Sequence, residues 1–204
     1  MSLQAALPRL ILASASSART ALMAGAGLVF EAIPAAIDEA EVKAASRDQG
    51  GSAEETALLL AQMKAQRVAR RAPDDLVIGC DQLLVCGDRW FDKPAGREEA
   101  RAQLQALRGQ THTLVTAVLC QRGDRHIWHH IARPRMVMRD FSDAFLDAYL
   151  AREGDALLGC VGAYRLEGLG VQLFDDVQGE HAAVLGLPLL PLLGFLRQHG
   201  VLTP

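Results

Sequence analysis

Apolar positions along this chain switch between unbroken strand-like runs and helix-like stripes. The central run is Leu76-Val77-Ile78-Gly79-Cys80-Asp81-Gln82-Leu83-Leu84-Val85, in which two β-favouring segments flank one acid and one amide. A carboxylate rarely stays buried unless something pairs with it or uses it. Asp81 is therefore either a charge that a strand delivers to a site or part of a turn between two strands, since Gly-x-Asp is common turn chemistry. Cys86-Gly87-Asp88-Arg89 then predicts a hairpin into Trp90-Phe91. The charged Asp92-Lys93-Pro94 that follows would return a lysine towards the acid.

The same pattern predicts the other elements in order. Leu10–Ala13 reads as a buried strand that runs into Ser14-Ala15-Ser16-Ser17-Ala18-Arg19, with a helix over residues 18–24 closed by Gly25 and Gly27. A helix amino terminus beside serine hydroxyls and an arginine suits a phosphate, but Ser17 as a plain cap with a solvated Arg19 is the plainer local reading. Residues 28–33 read as a second strand, and residues 34–41 as a loop carrying Asp38, Glu39 and Glu41. Ser52 with Glu55 forms a capping box for a long helix whose apolar stripe includes Ala57, Leu60, Ala61, Ala65 and Val68, with Lys64 near its edge. A helix over 97–107 follows, then a strand over 112–119, a Gly123-Asp124 turn and a return strand over 125–138. Pro134 makes that return strand an edge or interrupts it. Ser142 caps a helix ending at Gly154. Glycines 159, 162, 168, 170 and 179 then bring backbone close to a ligand or to other chain. A last apolar helix begins after Gly186-Leu187-Pro188 and stops at Gly200. Interleaved helices and strands with one antiparallel pair predict an α/β fold with a mixed sheet. With no repeat or linker, residues 1–204 read as a single domain.

Composition narrows the function little. The 204 residues are 50% hydrophobic and 22% charged, an ordinary globular balance, and the net charge of −3 offers no general attraction to nucleic acid. Cys80, Cys86, Cys120 and Cys160 show no C-x-x-C spacing, so no zinc or redox motif is indicated. No secretion signal or membrane-length apolar run is present, which predicts a cytoplasmic protein without a membrane partner. His112 reads as structural, and His126, His129 and His130 lack ligand spacing.

The ordered set of motifs carries more than any one of them. Ser14-x-Ser16-x-x-Arg19, Asp38-Glu39, Lys64-Ala65, Gly79-Cys80-Asp81-Gln82, Lys93-Pro94, Gly109-Gln110-Thr111-His112, Gly162-Ala163-Tyr164-x-x-Glu167-Gly168 and Val184-Leu185-Gly186-Leu187-Pro188-Leu189 together resemble the Maf family of nucleoside triphosphate pyrophosphatases over nearly the whole chain. The resemblance implies an elongated mixed sheet flanked by helices, in two lobes around a cleft, related to the inosine triphosphatase architecture. It implies hydrolysis of a nucleoside triphosphate to the monophosphate and pyrophosphate with a divalent cation, Mg²⁺ or Mn²⁺. By the same resemblance Asp81 matches the proton acceptor, while Ser14, Arg19, Lys64 and Lys93 match the residues around the phosphates. Glu39 matches a motif acid placed near the metal, and Asp81 could equally hold that metal.

Within the family, Gln82 and Glu167 resemble the branch that hydrolyses 7-methyl-GTP, whereas the pyrimidine branch carries Thr and Gln there. Glu167 suits the N–H donors of a guanine edge and a cationic methylated ring. The 7-methyl-GTP branch has Trp where this chain has Ala18, and Pro where it has Ser17, which allows an altered or broader preference that could extend to dTTP or UTP. A different class of reading is a non-catalytic nucleotide-binding regulator of septum formation. Family members are often dimers, so a homodimer is possible.

Overall fold

The computed structural model describes residues 3–203. Eight strands, β1 (Leu10–Leu12), β2 (Phe30–Ala32), β3 (Leu76–Cys86), β4 (Arg89–Phe91), β5 (Thr111–Arg122), β6 (Arg125–Ala132), β7 (Arg135–Met138) and β8 (Phe174–Gln178), form one open mixed sheet flanked by helices. Their order is β2-β1-β3-β5-β7-β8, with β4 on β3 and β6 on β5. Two compact units share it. The first comprises the chain up to Asp81, Thr116–Ala132 and the chain from His181 onwards, and the second comprises Gln82–Val115 and Arg133–Glu180. Strands β3 (Leu76–Cys86) and β5 (Thr111–Arg122) each run through both.

In the first unit β1 (Leu10–Leu12) pairs in parallel with β2 (Phe30–Ala32) and with Leu76–Ile78 of β3. Helix α1 (Ser17–Gly25) is the crossover from β1 to β2. Strand alternation sorts the side chains of this sheet into two sets. Leu10, Leu12, Leu76, Ile78 and Cys80 join Met23 of α1 and Leu192, Phe195 and Leu196 of α7 (Leu189–Gln198) in one buried cluster. The opposite face receives α3 (Ala53–Ala69), whose buried positions Ala57, Leu60, Ala61, Lys64, Ala65, Val68 and Ala69 recur at helical spacing. Strand β6 (Arg125–Ala132) completes this unit by pairing antiparallel with β5, and Trp128 stacks on Phe195 with centroids 4.8 Å apart.

In the second unit Leu84–Cys86 and β4 (Arg89–Phe91) make the expected hairpin, with Gly87 at a positive φ of 57°. The start of β5 pairs antiparallel with β7 (Arg135–Met138), which pairs with β8 (Phe174–Gln178). Helices α4 (Arg97–Leu107) and α5 (Asp143–Glu153) pack together beside three short 3-10 turns between Gly154 and Leu173. Gly170 lies where a Cβ would meet the Arg165 carbonyl oxygen at 2.4 Å, so this glycine-rich stretch does bring backbone against backbone.

Several expectations change in detail. The acids at 38–41 are not in a loop: Asp38 caps α2 (Glu39–Asp48), and Glu39 and Glu41 occupy its first turn, where the helix dipole favours them. The return strand is interrupted, splitting at Arg133-Pro134 into β6 and β7. Strand β8 and the short α6 (His181–Val184) were not evident from the pattern, the first because Asp175 and Asp176 break its apolar run. No helix among the described residues is long and apolar enough to cross a membrane.

His112 is buried in the second unit, with its Nε2 2.8 Å from the Tyr164 hydroxyl and Phe174 against both rings. Burial pushes its pKa down to about 4, so the folded protein keeps it neutral where an unfolded chain would protonate it. This contribution to stability is complete above the ordinary value of 6.5 and is lost as pH falls from there towards 4. Thermal melts between pH 7.5 and 4.5 should fall less steeply for His112→Gln than for the parent protein. Parallel slopes would refute the account.

Candidate active site

The site starts with one close approach. An ideal Cβ on Gly79 would lie 2.1 Å from the Ala61 carbonyl oxygen and 2.9 Å from the Ala65 Cβ, so α3 rests on β3 with only glycine between them. Gly79 and Asp81 share a strand face, and Lys64 stands on α3 between Ala61 and Ala65. The result is a Lys64 Nζ to Asp81 Oδ1 contact of 2.5 Å. Asp81 is not in a turn; it lies within continuous strand, 3% exposed. Nor is Lys64 at the edge of the helical stripe, because it sits within it and is 7% exposed.

Lys64 Nζ is also 2.6 Å from Glu39 Oε1, which makes the lysine a bridge between two acids. Glu39 in turn reaches Lys43 one helical turn on, through Oε2 at 3.9 Å. Lys43, 8% exposed, was not singled out from the sequence, although its i,i+4 spacing from Glu39 was a readable signal once α2 is a helix. Four charged side chains thus alternate in sign: Lys43, Glu39, Lys64, Asp81. Burial raises the Asp81 pKa above its ordinary value and the nearby Glu39 adds to that, against the opposing charges of Lys64 and Arg19. Its second oxygen, Oδ2, is buried and has no hydrogen-bond partner among the described residues.

Arg19, in the first turn of α1, is held at three points. Its Nε donates to the Gly186 carbonyl at 2.8 Å, and its Nη1 donates to the Cys80 carbonyl at 3.0 Å and to the Ser14 hydroxyl at 3.3 Å. Gly186 has a φ of 96°, and a Cβ there would come within 3.1 Å of Arg19 Nε, so both shape and backbone call for glycine. Ser14 Oγ also accepts from Ser16 N–H at 3.2 Å. Ser16, rather than Ser17, caps α1 through the Arg19 amide at 3.4 Å, and Ser17 is the helix's first residue. Ala18 is half-buried in that first turn.

Ser14, Ala18, Arg19, Glu39, Lys64 and Asp81 therefore all belong to the first unit, and Gln82, Lys93 and Glu167 to the second. By strand alternation Gln82 projects from the face that carries Ile78 and Cys80, opposite Asp81. Lys93 is exposed; burial raises the pKa of Cys160 and the Glu167 charge adds to that, while the charges of Arg165 and Lys93 oppose it. Glu167 is exposed and pairs with Arg165 Nε at 3.4 Å, while Arg165 Nη1 also reaches Glu153 at 3.3 Å.

The arrangement in the first unit can do three things. It offers a carboxylate with a raised pKa and an unpartnered oxygen, a fixed ammonium beside it, and a guanidinium and hydroxyl suited to an oxyanion. The donor chemistry also fits a hard divalent cation, since Mg²⁺ typically takes one or two carboxylates and completes its shell with substrate oxygens and water. Glu39 and Asp81 would hold it, the unpartnered Oδ2 being the available oxygen.

Comparison with known proteins gives a consistent result. A family model described as "Maf: Maf-like protein" matches residues 9–199. A nucleoside triphosphate pyrophosphatase of Granulibacter bethesdensis is 57% identical over 195 residues, covering 96% of this chain and 99% of its own length. One from Rhodospirillum rubrum is 48% identical over 200 residues, covering 98% and 99%. A 7-methyl-GTP pyrophosphatase of Rhizobium meliloti is 46% identical over 195 residues, covering 96% and 98%.

The Gly79 contact can be tested directly. Gly79→Ala should lower stability by about 1–3 kcal/mol through overpacking. It should also lower activity more than an equally destabilising change elsewhere in the core, because it moves Lys64 away from Asp81. Chemical denaturation and hydrolysis assays measure the two effects, and an unchanged unfolding midpoint would contradict the proximity.

Proposed function

The chain belongs to the Maf family, and from that premise we propose that it hydrolyses a nucleoside triphosphate to the monophosphate and pyrophosphate. The observation that carries this reading is the buried Asp81 with its raised pKa, one oxygen on Lys64 and the other unpartnered. A binding protein for phosphates gains nothing from a carboxylate placed among their cationic contacts. A hydrolase does, because attack at a phosphoryl group needs a water oriented and relieved of a proton.

In this proposal Asp81 Oδ2 accepts the proton of the attacking water. Lys64 keeps Asp81 in place and, with Arg19, Ser14 and Lys93, offsets the charge that grows on the phosphate oxygens and the leaving pyrophosphate. The three bonds on Arg19 fix its guanidinium beforehand, so little reorganisation remains when substrate arrives. Glu39 would hold a Mg²⁺ or Mn²⁺ ion, which would supply charge neutralisation at the triphosphate; Asp81 as a second ligand is the alternative to Asp81 as base, because both roles use Oδ2. Lys43 and Lys64 position Glu39 from both of its oxygens. Ala18, Gln82 and Glu167 bear on the base, and Gln82 with Glu167 favours a guanine-type, 7-methyl-GTP-like substrate.

Asp81→Asn should reduce pyrophosphate release by about 10²–10⁴-fold, and Lys64 retains its contact with Glu39 at 2.6 Å in that variant. The acid limb of the parent's pH–rate profile should lie above the ordinary carboxylate range. Glu39→Gln should move that limb downwards, since the Glu39 charge is one of the causes that raise Asp81. An Asp81→Asn variant as fast as the parent would remove the assigned role, and triphosphate binding with no hydrolysis by the parent would favour the regulator reading.

For substrate choice, pyrophosphate release from a panel of triphosphates with Mg²⁺ or Mn²⁺ should show 7-methyl-GTP turned over better than UTP or dTTP. The small Ala18 predicts that the margin narrows relative to an Ala18→Trp variant. A strong preference for the pyrimidine nucleotides would overturn the base assignment and leave the hydrolytic assignment standing.

A further inference from the structure

We propose that His126 and His129 on β6 form a surface binding site for a borderline divalent transition-metal cation such as Zn²⁺ or Ni²⁺, separate from the candidate active site. Residues three apart on a regular strand point to opposite faces, so their spacing in sequence argues against a ligand pair. The register of β6 on β5 reverses that. His126 stands opposite Gln121 and Trp128 opposite Cys120, which leaves Ile127 as an extra residue in a bulge. A bulge re-aims the side chains around it, and here it turns both imidazoles to the same side.

The two rings meet with His129 Nδ1 3.1 Å from His126 Nε2 and with centroids 5.0 Å apart. With metal–nitrogen bonds of about 2.0–2.1 Å, two imidazole nitrogens are separated by about 2.9 Å at a right-angled ligand angle and by about 3.4 Å at a tetrahedral one. The observed separation falls inside that interval. A straight N–H···N bond of the same length would hold the centroids about 5.4 Å apart. The shorter observed distance means that the rings lean together, so the two nitrogens that share a bent hydrogen bond in the free protein are spaced to share a cation instead.

Both histidines are exposed, so a cation can reach them without opening the fold. Trp128 and His130 stack on each other with an interplanar angle of 9°, and Trp128 continues onto Phe195, which braces the bulged strand from within the unit. Among the described residues no third histidine, cysteine or carboxylate completes a cluster. Water therefore fills the remaining positions. Nitrogen-only ligation selects Zn²⁺, Ni²⁺ or Cu²⁺ over Mg²⁺, the opposite preference to the carboxylates Glu39 and Asp81.

The untagged protein, stripped with chelator, can be labelled with ¹⁵N at its histidines and titrated with ZnCl₂ and, separately, followed by calorimetry with NiCl₂. The first equivalent of Zn²⁺ should move the His126 and His129 imidazole signals together. His126→Gln and His129→Gln should each weaken Ni²⁺ binding by at least about tenfold, the loss expected when a second linked contact disappears, and His130→Gln should not. Unmoved His126 and His129 signals, or parental affinity in both single variants, would overturn the site. The NMR titration reads the parent protein alone, so the outcome does not depend on how the variants fold.

Discussion

The Lys64 ammonium, buried between the carboxylates of Glu39 and Asp81, is the contact on which the rest of the first unit depends. An ion bridge of this kind is a poor source of stability, since desolvating the charges costs about as much as their attraction returns. It persists because the fold leaves no alternative. Helix α3 seats on β3 through Gly79, which places the middle of the helix against the middle of the strand, and both charges are then enclosed together. Removing either partner would strand the other in a dry interior. The same enclosure raises the Asp81 pKa, so the feature that makes the site expensive to fold is the one that suits the acid to the role proposed for it.

Arg19 is the counterpart held by main-chain carbonyls and a hydroxyl. Its guanidinium spends donors on the Gly186 and Cys80 carbonyls and on Ser14, and these tie the start of α1 to β3 and to the turn before α7. The cation is fixed by three parts of the chain that are far apart in sequence. A flexible lysine would satisfy fewer of these acceptors and would keep more rotamer freedom to lose on binding an anion. Gly186 matters for the same reason, because its positive φ aims the carbonyl and its missing side chain admits the guanidinium.

Much of this was legible before the fold was known, and the limits follow from physics. Local signals held well: the capping box at Ser52 and Glu55, the hairpin at Gly87 and the break at Pro134 are each set by a few neighbouring residues. What failed needed long-range information. The acids at 38–41 read as loop because polar residues dominate α2, which is held in place by packing against α3 rather than by a strong apolar stripe. Lys64 read as an edge residue because a lysine within a buried stripe only makes sense once Glu39 and Asp81 are known to meet it. Lys43 and the convergence of His126 with His129 were hidden in the same way, the second by a bulge that no spacing rule anticipates.

Strand alternation also separates two properties that lie side by side in sequence. Asp81 shares its face of β3 with Gly79 and α3, whereas Gln82 projects from the face of Ile78 and Cys80. The residue proposed to activate water is therefore held by one set of neighbours, and the residue proposed to bear on the base by another. Position 82 lies on the face away from the Lys64 bridge and the Gly79 contact, while a change at 81 removes a partner of Lys64. On the proposed assignment, substitutions at Gln82, Ala18 or Glu167 leave the buried acid in place.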